Sequence, residues 1–76
     1  MKSKGSELLR QTRKDRGLTQ YEAGKLVDMP GQAISAYERG AYSPSRSGAG
    51  ELEREFGIPV KAWDEEAVEA VEQPAA

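Results

Sequence analysis

Neither Cys nor His occurs in the 76 residues, so the side chains able to do chemistry are carboxylates, amines, guanidinia and hydroxyls. Thiol nucleophiles, imidazole bases, disulfides and the usual Cys/His zinc sites are removed together. Thirteen Asp and Glu remain. They are scattered along stretches that read as solvated helices, without the paired pocket carboxylates that general acid–base work needs. The sequence therefore predicts no enzyme, no catalytic residue, no metal ligand set and no cofactor. What does cluster is positive charge. Residues 1–46 carry nine Lys and Arg against five acids (+4), whereas residues 47–76 carry two against eight (−6). A basic front suits a polyanion and an acidic back avoids one. An ordinary charged surface, sorted by chance, is the alternative.

A chain this short makes one small domain, near the lower limit at which a hydrophobic core alone holds a fold. No run approaches the roughly 18 apolar residues of a membrane span, and none resembles a secretory signal. Gly and Pro punctuate the rest into short helices, with no strand pattern. Ser6 is placed to N-cap a first helix over 7–16 that turns Leu8, Leu9 and Thr12 to one face and stops at Gly17. Thr19, with Glu22 three residues on, forms a capping box for a second helix over 20–27. Its apolar stripe is Ala23, Leu26 and Val27, and Gly24 leaves room for a close neighbour. After Asp28-Met29, Pro30 suits the first turn of a third helix. That helix points Ala33, Ile34 and Tyr37 inward and ends at Arg39, before Gly40.

A loop over 40–44 leads to a fourth helix, about 45–55, with Ala49, Leu52 and Phe56 on one side and Gly57 as its stop. A fifth segment starts near Val60 and offers Trp63 and Ala67 to the core. The fold class predicted is all-α: a compact bundle of four to five short helices containing a helix-turn-helix, over residues 1–63. Residues 64–76 read as an acidic extension, partly helical and then disordered. That extension is either a solvated tail or a contact for a dimer or partner protein.

Two short helices joined by a tight turn, with Gly24 at the crossing and Ile34 in the angle, carry a resemblance to a known family. The sequence resembles the phage repressor/Cro (XRE-type) helix-turn-helix proteins in Leu18-Thr19-Gln20, Gly24, Val27, Ile34-Ser35 and Glu38-Arg39-Gly40. The match continues in Ser43-Pro44-Ser45, Leu52, Phe56-Gly57-Ile58 and Val60. The pattern fits without a gap from about Leu9 to Trp63, and it implies a lambda-repressor-like DNA-binding fold. It implies a sequence-specific regulator of double-stranded DNA, of phage or mobile-element type, acting in a prokaryotic cytoplasm. It also implies a homodimer on half-sites ~34 Å apart. An antitoxin-like or protein-interaction subunit, holding a partner through the acidic segment, is the second reading.

Carried over residue by residue, the helix over 30–39 is the recognition helix, with Gly31, Gln32, Ser35 and Ala36 at base-facing positions. Thr19 and Gln20 fall at the start of the preceding helix, against a phosphate. For Gln20 a plain capping role is the alternative. Arg39 and Arg46 fall near the flanking backbone. The resemblance also implies an ion pair between Arg13 and Glu38, against the alternative of two unrelated surface charges. Three positions depart from the family: Asp28 where Gly is usual, and Gly31 and Ala36 where long polar residues are common. Gln32 is left as the one long polar side chain for base reading, so specificity is either low or leans on DNA shape.

Overall fold

The fold is set by four apolar stripes that can be buried only against one another. In the computed structural model, which describes residues 2–66, the helices are α1 (Lys4–Asp15), α2 (Gln20–Leu26), α3 (Gly31–Arg39) and α4 (Arg46–Phe56). A 3-10 helix, Val60–Asp64, follows. Leu9, Ile34, Leu52 and Ile58 are fully buried, each contributing roughly 1.5–3 kcal/mol through removal from water. Ala23, Val27, Ala49, Phe56, Ala62 and Trp63 complete the core around them. Gly40 and Gly57 end α3 and α4 in the left-handed conformation, at φ 79° and 76°. A side chain is disfavoured there.

Three expectations change. Helix α1 begins at Lys4 under Ser3, whose hydroxyl oxygen accepts the Ser6 N–H at 3.0 Å. Ser6 is not the cap because it lies inside the protein, where its hydroxyl donates to the Tyr37 carbonyl of α3. The extra turn also brings Gly5 beneath the Trp63 indole, so close that a Cβ would overlap the ring. Leu26, at the end of α2, is exposed rather than part of the stripe, while Ala23 and Val27 turn inward. Pro30 is the extended residue before α3 (ψ 154°), not its first helical residue.

The last described residues fold back onto the start of the chain. The Lys4 N–H donates to the Glu65 carbonyl at 2.6 Å, and Ser3 and Glu66 make an isolated antiparallel bridge. Trp63 meets Tyr37 edge-on, with ring centroids 6.0 Å apart. Ala67 and the acidic stretch that follows it lie outside the described residues, as do the expectations for them. No helix among the described residues is long and apolar enough to cross a membrane.

Candidate nucleic-acid interface

The α2–α3 corner is built by three local features of the sequence. The capping box is complete. Thr19 Oγ1 accepts the Glu22 N–H at 3.0 Å, and the Glu22 carboxylate accepts the Thr19 N–H at 2.9 Å. Gly24 then lets the chain fold back on the helix, where the Met29 N–H donates to the Gly24 carbonyl at 2.8 Å. A Cβ on Gly24 would overlap the Met29 carbonyl oxygen and crowd Pro30 and Gly31. Asp28 takes the turn itself at φ 59°. This is the left-handed region, which favours Gly and where Asp is among the better-tolerated alternatives.

The end of α3 is tied to α1 by a buried network. Arg13 Nε donates to Glu38 Oε2 at 2.6 Å and Nη2 to Oε1 at 3.1 Å, a two-pronged guanidinium–carboxylate bond. The third prong, Nη1, donates to the Leu18 carbonyl at 2.9 Å, so the same side chain also holds the turn before α2. Glu38 is 4% exposed. Its hydrogen bond raises the Arg13 pKa above the ordinary value, against a smaller opposing effect of burial. Gln20 joins in, its side-chain nitrogen donating to Glu38 Oε1 at 3.2 Å. The second hydrogen on that nitrogen remains for a ligand.

The structure divides the other expected site residues. Thr19, Gln32, Arg39 and Arg46 are exposed, and Gly31 and Ser35 are half-buried. Ala36, expected at a base-facing position, is 7% exposed. A small residue four along from Gln32, on a nine-residue helix packed against two neighbours, is turned into the protein. Arg39 Nε reaches Ser35 Oγ at 3.4 Å, which lays the guanidinium along its own helix. Arg39 also lines a surface cleft together with Lys2, Arg10, Arg13, Lys14, Gln20 and Glu38. Five cations therefore meet at that cleft around one carboxylate already held by Arg13. Arg46 stands elsewhere, beside Ser43, Pro44, Val60 and Lys61. Lys2, Arg10 and Lys14 were not singled out from the sequence. The spacing 10, 13, 14 was the available signal, since positions three and four apart share a helix face.

The helix-turn-helix family model matches residues 9–63, from the middle of α1 to Trp63. The chain belongs to the XRE-type helix-turn-helix family. An uncharacterised HTH-type transcriptional regulator of Methanothermobacter thermautotrophicus is 44% identical over 50 residues, covering 66% of this chain and 72% of the relative. No solved structure matches the chain. Within this helix-turn-helix domain the motif is α2, the 27–30 turn and α3, and the buried Arg13–Glu38 bond ties it to α1. Among the described residues no group of acids is placed to hold a metal ion.

Proposed function

We propose that this helix-turn-helix protein is a sequence-specific regulator of transcription, a repressor of the phage type, that binds duplex DNA with α3 in the major groove. The observation that carries the reading is the cation-lined cleft at the Arg39 end of α3, in a chain whose net charge is negative. A surface collecting Lys2, Arg10, Lys14 and Arg39 around a neutralised carboxylate suits a row of phosphates on one side of the groove. Gln32 at the exposed start of α3 is positioned for base edges, with Ser35 one turn further on. Thr19, Gln20 and Arg46 extend the footprint along the backbone, and Gly31 lets the first turn of the helix approach closely. Two copies on a two-fold site, in a prokaryotic cytoplasm, complete the reading. Family membership supports that arrangement.

The test is selection of bound sequences from random duplex DNA at two salt concentrations, followed by binding titrations on the winner. A recovered palindrome with half-sites about one helical turn apart supports both the DNA reading and the dimer. A single asymmetric half-site supports a monomer. No binding to any duplex at low salt overturns the reading.

A further inference from the structure

Tyr21 is the most exposed large hydrophobic side chain of the motif, 65% open to solvent on the first turn of α2. Nothing in the fold asks for an aromatic ring there. Its surroundings are specific, however. A Cβ on Gly31 would lie 3.1 Å from the Tyr21 Cα and 3.2 Å from its backbone nitrogen. The first turns of α2 and α3 therefore touch backbone to backbone, closer than a side chain at position 31 comfortably allows. The Lys25 ammonium sits 5.4 Å over the Tyr21 ring, so a cation shares that surface.

This closeness places Tyr21 beside the first turn of α3. A helix with its side chains is ~10–12 Å across and the major groove is ~12 Å wide, so α3 fills it. A ring carried on the adjoining backbone then stands at the groove wall rather than over its floor. That wall is the phosphodiester chain. Resting on the DNA reading above, we infer that Tyr21 is a further DNA-contacting residue, its phenol hydroxyl donating to a backbone phosphate beside the first turn of α3. Gly31 is the positioning residue that brings it there.

A neutral donor has a distinctive signature. Phosphate contacts from Lys or Arg displace counterions and steepen the salt dependence, whereas a phenol displaces none. Tyr21→Phe removes only the hydroxyl from an exposed ring, so the melting temperature should not move. The experiment compares wild type and Tyr21→Phe on the preferred duplex and on random duplex across a salt series. A second arm replaces single phosphates by neutral methylphosphonates. Affinity should fall roughly ten- to hundredfold on both duplexes, the size expected for one hydrogen bond to a charged group, with the salt slope unchanged. At one methylphosphonate position the two proteins should bind alike. Equal binding of Tyr21→Phe and wild type on unmodified DNA overturns the inference, as does a loss confined to one base pair. Failure of the wild type to bind any duplex overturns instead the reading on which it rests.

Discussion

The carbonyl oxygen of Met29 occupies the space that a Cβ on Gly24 would need. The obstacle is backbone, pinned by the Met29 N–H bond to the Gly24 carbonyl, so it cannot swing aside as a side-chain tip would. Gly24→Ala gains helix propensity of roughly 0.8–1.0 kcal/mol yet should lose overall, because overpacking a rigid contact costs about 1–3 kcal/mol. A lower melting temperature by circular dichroism is the expected result. An unchanged or raised one would mean that the corner opens freely and that α2 and α3 are not locked at this crossing.

Asp28 tests the same turn from the other side. At φ 59° a residue with a Cβ is strained, and the short carboxylate is one of the few side chains that tolerate the position. Asp28→Ala should destabilise by about 1 kcal/mol, whereas Asp28→Gly should be neutral or slightly stabilising as lost strain offsets the greater freedom of the unfolded chain. The order Gly, Asp, Ala in denaturant midpoints is the expected reading. Ala equal to Gly would remove backbone strain from the account.

Arg13 and Glu38 are the pair on which most stability should depend. Removing one member of a buried pair costs about 3–5 kcal/mol, because the other is left buried and uncompensated. Arg13→Ala also frees the Leu18 carbonyl, while Gln20 remains as a lone partner for Glu38. A double-mutant cycle with Glu38→Ala should show strong coupling, the double variant losing clearly less than the sum of the singles. The hydrogen bond raises the Arg13 pKa, so its contribution is complete below the ordinary arginine value and lost only as pH rises through the folded one. The Arg13→Ala deficit should therefore stay constant from neutral pH to about pH 10. Additive singles would reduce the pair to two energetically independent charges.

How far these features were legible in the sequence differs by their physical origin. Caps and stops are local, so Thr19 with Glu22, Gly40 and Gly57 were readable from residue type and spacing. The Gly24 crossing was readable too, since a small residue at a helix corner has one obvious use. Ser6 was misread because a serine before a helical run looks like a cap. Its actual partner, the Tyr37 carbonyl, is 31 residues away. Ala36 failed similarly, for family position fixes the helical face while burial depends on how α3 rolls against its neighbours. The cleft around Lys2, Arg10 and Lys14 is a tertiary product of α1 lying beside the end of α3, and only the helical spacing on α1 hinted at it.

Phosphate contacts should reveal themselves through salt. Arg10→Ala, Lys14→Ala and Arg39→Ala should each weaken binding to all duplexes alike and flatten the salt slope by about one unit. Arg46→Ala should do the same, although Arg46 lies outside the cation-lined cleft, at the exposed start of α4. The comparison maps the footprint. An unchanged slope for Arg46→Ala would confine the contact surface to α1 and the α2–α3 motif.

Specificity should rest on Gln32. Ala36 is buried and Gly31 has no side chain, so Gln32 is the long polar group exposed on the first turn of α3. Its amide can accept from N6 and donate to N7 of adenine, a pairing worth roughly 1–3 kcal/mol of discrimination. Ser35 adds less, being half-buried and shared with Arg39 at 3.4 Å. Gln32→Ala should therefore lower affinity for the preferred duplex by about that amount and for random duplex far less. Its melting temperature should hold, because the side chain is exposed. Gln32→Glu should go further, replacing the donor with a second acceptor that adenine N7 rejects. A selected sequence logo that loses one base position in Gln32→Ala is the expected signature. Equal losses on preferred and random DNA would leave Gln32 as a solvating residue and shift recognition to DNA shape or the 40–46 loop.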